Sequence, residues 1–264
     1  MEKDKIFSMN WVSAADPQYK ILSLTYFLKM IEEGMNTLLR PYVWTDPLET
    51  IYANSDVEVG LNKIPLDGSK WFAQSWSFKE EDERMWQAFG PQNKNDRRVK
   101  IRIMSGNIFN YGILRKSTFS SNSLKLFVFD RVRYFKNTDE YKDSLEDANN
   151  MHNWLNNMTK RGAEIQELLP CITLLTKRDY FNYENETRLL IYDKDFPTNE
   201  EYYKYPLNFK EVCEEVVLDP WTPDDEIEKI KGNIQEKLKN DRIPIYRSHI
   251  YDDYKKYRIT FNTK

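Results

Sequence analysis

Alternation is strictest at Arg98-Val99-Lys100-Ile101-Arg102-Ile103, where every second residue is aliphatic and the others are cationic. Successive side chains of a strand point to opposite faces. The pattern therefore predicts a half-buried strand with Val99, Ile101 and Ile103 inward and Arg98, Lys100 and Arg102 on a solvated basic stripe. Earlier in the chain, Leu24, Phe27, Leu28 and Ile31 recur at the helical period, with Ser23 suited to cap the start and Gly34 to end it. Shorter apolar runs predict strands at 38–42, 71–77, 124–129 and 171–175, and a charged helical turn at 80–89. Between the third and fourth of those runs, Tyr141, Leu145, Met151, Leu155 and Met158 approximate one apolar stripe, which predicts a helical insertion at about 139–169. Near the end, 216–218 and 243–246 read as strands. They flank a helix that begins at Thr222, Pro223 and Asp225 and buries Ile227, Ile230, Ile234 and Leu238, which makes a right-handed βαβ unit. The sum is one α+β domain over 1–264: a mixed β-sheet core, a helical insertion and a C-terminal βαβ unit.

Composition narrows the function classes. A chain of 264 residues with 17 Tyr and 7 Trp buries a substantial core with many aromatic anchors, unlike a disordered chain. A net charge of -3 supplies no global attraction for nucleic acid or an anionic membrane, so any such contact is local. Cys171 and Cys213 are far apart and lack C-x-x-C spacing, which fits a reducing compartment better than a disulfide framework or structural zinc. Residues Met1 to Lys5 have no signal-like apolar core, and no run approaches the roughly 20 apolar residues that span a bilayer. A cytoplasmic location is the expectation.

Only eight glycines are present, none spaced as G-x-G-x-x-G or as a P-loop, which disfavours dinucleotide folds and ATPases built on those loops. The only histidines are His152 and His249, too few for a multi-histidine metal site. The chemistry left is that of carboxylates, arginines and hydroxyls, with Asp46, Glu49, Glu184 and Glu186 the acids in the most motif-like settings. Glu184 and Glu186 stand two apart. On a strand that spacing puts both on one face, a costly like-charge pair unless Arg188 or a ligand neutralises them.

Several ordered motifs resemble the bacterial domain-of-unknown-function family 2971. They are Tyr19-Lys20, then Leu39-Arg40-Pro41 with Trp44-Thr45-Asp46-Pro47-Leu48-Glu49, then Gln74-Ser75-Trp76-Ser77 and Met85-Trp86-Gln87-Ala88-Phe89. The acidic run Phe181 to Arg188 and the closing strand Ile245-Tyr246-Arg247-Ser248 complete the series. The resemblance spans about Tyr19 to Tyr251. Gln74 stands where many members have cysteine, against a nucleophile there, and Phe89 stands where many have tyrosine.

The order Arg40, Ser75-Trp76-Ser77 and Glu184-Asn185-Glu186 also resembles the R-S-E arrangement of arginine-specific ADP-ribosyltransferases. That resemblance implies NAD as substrate, no metal, and a protein or nucleic-acid acceptor. Glu186 would stabilise the ribosyl oxocarbenium ion and Glu184 would orient or deprotonate the acceptor. Arg40 would clamp a phosphate of NAD, and Ser75 would position Glu186 or the ribose. Ser77 completes the cofactor-binding set with Trp76, which would stack on nicotinamide or pack in the core. Two alternatives stand beside a transferase of toxin or antiphage-defence type. One is a non-catalytic interaction module of a bacterial conflict system; the other is a metal-dependent nuclease using Asp46, Glu49, Glu184 and Glu186. Convergence of Arg40, Ser75 and Glu186 in one cleft without Asp46 favours transfer from NAD, convergence of the four acids favours metal, and scattered positions favour binding.

Overall fold

The computed structural model describes residues 5–8, 12–44, 46, 48–49, 56–59, 62–65, 68–89, 96–108, 125–140, 156–160, 164–197 and 199–252. Along the chain, strands β1 (Lys5–Ser8) and β2 (Pro17–Ser23) lead into helix α1 (Leu24–Glu33), and β3 (Met35–Leu39) follows. A hairpin of β4 (Asp56–Val59) and β5 (Asn62–Pro65) precedes β6 (Trp71–Ser77), α2 (Glu83–Ala88), β7 (Arg98–Met104), β8 (Lys125–Arg131) and β9 (Arg133–Phe135). Then come α3 (Ile165–Leu174), β10 (Thr176–Arg178), β11 (Glu186–Asp193) and β12 (Tyr202–Pro206). The last elements are α4 (Phe209–Val212), β13 (Cys213–Leu218), α5 (Asp224–Leu238) and β14 (Ile245–Arg247).

Ten strands form one mixed sheet in the order β1-β8-β11-β6-β2-β7-β13-β14, with β3 attached to β6 and β12 to β3. Only β1 with β8 and β13 with β14 run parallel in that path. The β13-α5-β14 crossover is the βαβ unit expected from the sequence, and this is an α+β fold. All eight residues of β11 are buried, as suits a strand flanked by β8 and β6 and covered on both faces. On β6, Phe72 and Trp76 point to the main core under α1 and α5. Trp71 and Ala73 point the other way, into a second core closed by Leu168, Cys171 and Leu174 of α3. Helix α1 starts and stops as its sequence predicts: the Ser23 hydroxyl accepts from the Tyr26 N–H, and Gly34 takes φ 61°, a left-handed value glycine tolerates.

Two expectations are corrected. Residues 171–175, expected as a strand, lie mostly in α3, which extends back to Ile165 and is opened by a Glu164–Glu167 capping box. A short apolar run cannot by itself tell a buried helix from a buried strand, and here the run forms the last turn of a ten-residue helix. The basic stripe is solvated only in part: Arg98 and Arg102 stay partly exposed, while Lys100 between them is covered. Strand β7 is interior, between β2 and β13, and α2 covers this face of the sheet with Met85 and Trp86 packed on Ile21 and Val217. Lys100 is 1% exposed, 3.6 Å from Glu215 and 5.3 Å from the Tyr19 ring centre. Arg98 and Arg102 pair with Asp219 and Glu214, each at 3.4 Å. Val99, Ile101 and Ile103 do enter the core. Of the expected helical insertion, Met158 is buried in the second core, while Tyr141, Leu145, Met151, Leu155 and His152 lie outside the described residues. Among the described residues no helix is long and apolar enough to cross a membrane.

Candidate active site

The site begins at a fork in the sheet. One edge of β6 pairs with β11 throughout, but the other is divided: β2 meets it at Ser77, opposite Tyr19, and β3 meets it at Ala73, opposite Leu39. Between those two pairings the Ser75 carbonyl accepts a 2.8 Å bond from the Lys20 ammonium. A buried carbonyl needs such a partner, and here a cation fills the place of a neighbouring strand. Burial draws the Lys20 pKa down to about 8, against the upward pull of Glu186. A pocket of about 50 Å³ lies at the fork, lined by Lys20, Ser75, Ser77, Phe89, Glu184 and Glu186. It adjoins a cleft of about 780 Å³ that shares Lys20, Ser75 and Phe89 and continues past Trp44 to Tyr26 and Tyr202.

Beside the pocket five charged side chains interlock. Arg188 grips Glu186 with two bonds, Nε to Oε1 at 2.7 Å and Nη2 to Oε2 at 3.0 Å. Its Nη2 also donates to Glu49, and its Nη1 to the carbonyls of Leu174 and Thr176 at 2.6 and 3.4 Å. All three guanidinium nitrogens thus have acceptors, and the Trp44 ring lies against the plane with its centre 4.3 Å from the central carbon. Lys177 on β10 reaches Glu184 at 2.7 Å, Glu186 at 3.2 Å and Glu49 at 3.4 Å. The Tyr134 hydroxyl of β9 accepts from the Glu186 backbone N–H at 2.8 Å.

Environment sets these two glutamates apart. Burial would raise Glu186, but Arg188 and Lys177, with a hydrogen bond from Ser75, hold it below its ordinary value. Glu184 gains less from cations: burial pushes it up to about 7 against the opposing Lys177, and the negative charge of Glu186 adds to the rise. Glu49 is also raised by burial, with Arg188 and Lys177 opposing. One carboxylate is therefore held ionised beside the pocket and another titrates near neutrality, the pairing of states that acid–base and electrostatic catalysis require.

The pair reaches this arrangement by a route the spacing did not predict. Glu184 is not on a strand; it ends a 3-10 turn spanning Asp179–Glu184. Asn185 then adopts φ 42°, and Glu186 opens β11. The left-handed residue bends the chain so that both carboxylates meet Lys177. The Ser77 hydroxyl locks that bend by donating to the Glu184 carbonyl at 2.6 Å.

Other expected site residues fall elsewhere. Arg40 is buried, donates to the carbonyls of Glu200 at 2.6 Å and Pro197 at 2.7 Å, and lies over the Phe72 ring. Phe72 sits five residues along β6 from the Glu186 partner Ser77, roughly 17 Å at strand spacing, on the opposite face. Arg40 thus does not join Ser75 and Glu186. Trp76 borders the small pocket but is 2% exposed and packs in the main core, its indole N–H donating to Gln74 at 2.9 Å. Gln74 belongs to a buried amide network with Asn36, Thr37 and Tyr205. Of the four acids weighed for metal, Glu49, Glu184 and Glu186 converge, but on an ammonium; Asp46 bonds Arg178 at 2.7 Å and the Leu48 N–H at 2.9 Å. Lys177, only seven residues before Glu184, was missed because no local pattern marks it, and Tyr134 because it lies on a strand remote in sequence; Lys20 was quoted only as part of a motif.

No family model matches the chain, and no curated protein matches it either. Among solved structures the chain is similar to "Thermus sp. 2.9 DarT in complex with ADP-ribosylated ssDNA", with a TM-score of 0.39 and 10% identity, covering 91% of this chain and 98% of that chain. A likeness at that level establishes neither a shared fold nor a shared activity.

Proposed function

We propose that this chain is an ADP-ribosyltransferase-like enzyme that consumes NAD and transfers ADP-ribose to a protein or nucleic-acid nucleophile. The observation that carries the reading is the Glu186 carboxylate, held ionised by Arg188 and bonded by Ser75 at a fork that also presents the Lys20 cation and the near-neutral Glu184. Cleavage of the nicotinamide–ribose bond sends the bonding pair to the nicotinamide nitrogen and leaves positive charge on the ribose. A fixed carboxylate stabilises that charge as it forms. The acceptor then bonds to the ribose carbon and its proton passes to Glu184 in its ionised form, which is present in part near neutral pH. Lys20, in place of the expected Arg40, is the cation set to receive the diphosphate, because it lines both the pocket and the adjoining cleft.

Purified protein incubated with NAD and either acceptor class tests the reading through nicotinamide release. Glu186→Gln is expected to lower that release by roughly a hundredfold to a thousandfold. Melting curves run alongside separate lost chemistry from lost folding, because the variant also weakens the Arg188 pair. No release by the wild-type chain, or equal release by the variant, overturns the proposal.

A further inference from the structure

Three carboxylates and two cations share one buried cluster, so full ionisation leaves it with one excess negative charge. Low-dielectric surroundings penalise that charge, and a single bound proton relieves it. Glu186 is the poorest place for the proton, since both its oxygens are held by Arg188 and one also faces Lys177. The choice lies between Glu184, which lines the pocket, and Glu49, which reaches the cluster from behind.

The loop that carries Glu49 is fastened at several points. Asp46 bonds Arg178, the Leu48 carbonyl accepts from the Thr176 hydroxyl at 3.4 Å, Leu48 packs on Phe135, and Trp44 lies on Arg188. Each attachment leads to β9, β10 or β11, so the loop delivers one carboxylate oxygen of Glu49 to Arg188 and Lys177 together. Fixed there, Glu49 has two cations to keep it ionised, while Glu184 has Lys177 alone.

We propose that Glu49 is a positioning residue that directs the excess proton of the cluster onto Glu184, the carboxyl that faces the pocket. For its consequence this rests on Glu184 serving the acceptor, but the proton's location is a property of the cluster and is read without NAD. The charged and titratable groups around Glu184 are Lys177 of β10, Glu186 of β11, Glu49, Tyr134 of β9 and its neighbour Tyr183, with Lys20 of β2 lining the same pocket and interacting with Glu186. Removing the Glu49 charge balances two cations against two carboxylates, and Glu184 then ionises at lower pH.

Carbon-13 NMR titration of glutamate carboxyls tests this directly. In the wild type Glu184 is expected to titrate near neutrality, with Glu49 below it. Glu49→Gln is expected to lower the Glu184 midpoint by about one pH unit. Glu49→Asp, which keeps the charge, returns it toward the wild-type value, and Lys177→Gln raises it. A purely structural Glu49 would change the melting temperature and leave the midpoint where it was. An unchanged midpoint in Glu49→Gln, or a wild-type Glu49 midpoint at or above that of Glu184, overturns the proposal; the second result needs no variant to fold. Nicotinamide release with an unchanged titration would keep the enzymatic reading and discard the role of Glu49. The expected titration without nicotinamide release would do the reverse.

Discussion

Replacing Glu184 by glutamine is expected to make the protein more stable above neutral pH while removing the proton acceptor proposed for the transfer. Glu184 has its pKa pushed from 4.5 up to about 7 in the folded chain, with burial the largest cause. A carboxyl raised on folding binds more protons folded than unfolded across that window, so stability falls as pH climbs from about 4.5 to 7 and stays reduced above it. At about 1.4 kcal/mol per unit, the ionised group costs on the order of 3 kcal/mol at pH 8. Glutamine presents the neutral form at every pH. The shift already contains the attraction of Lys177, so about 3 kcal/mol is the expected stabilisation at pH 8. At pH 5 the wild-type group is already protonated in the folded state, so the two proteins should nearly coincide. Urea unfolding at both pH values measures this as a shift in midpoint at constant slope. A variant less stable than wild type at pH 8, or one whose stability difference is the same at pH 5 and pH 8, would refute the reasoning. A residue that costs stability yet is needed for activity is the pattern expected of a functional site.

Three further outcomes follow from the contacts. Lys20→Gln is expected to weaken NAD binding by roughly tenfold to a hundredfold, the worth of a hydrogen bond to a charged group, as read by titration calorimetry. Arg40→Lys loses the fork that spans two carbonyls and is expected to lower stability by about 1 to 3 kcal/mol in urea unfolding, with NAD affinity unchanged. Lys100→Ser removes the buried cation beside Glu215, which keeps the Tyr246 hydroxyl as a donor, and is expected to destabilise by about 3 kcal/mol, where a solvated lysine would cost almost nothing.

Local pattern was enough for elements whose signal is periodic or capped. Ser23 and Gly34 bracket α1, alternation places Val99, Ile101 and Ile103 in the core, and the helix after Pro223 completes a parallel crossover. It also singled out Glu49, Glu184, Glu186 and Ser75, because acids and hydroxyls standing in ordered motifs are visible without coordinates. It misjudged Lys100, since alternation says which residues share a face and nothing about whether another element covers it. For the same reason it named Arg40 and gave Lys20 no role: both are cations next to strands, and only the fork between β2, β3 and β6 decides which one faces Glu186. The charge cluster was legible only in part: the spacing offered Arg188 as a partner for Glu184 and Glu186, but nothing in it brought Glu49 and Lys177 to the same place. Its members come from residues 49, 177, 184, 186 and 188, and their ionisation depends on burial and on distances of a few ångströms. The chain alone thus determined the fold class and the residue types available for chemistry. Tertiary structure decided which of them meet and which carboxyl keeps a proton, because Coulomb energy and desolvation depend on separation and burial, quantities a linear order does not contain.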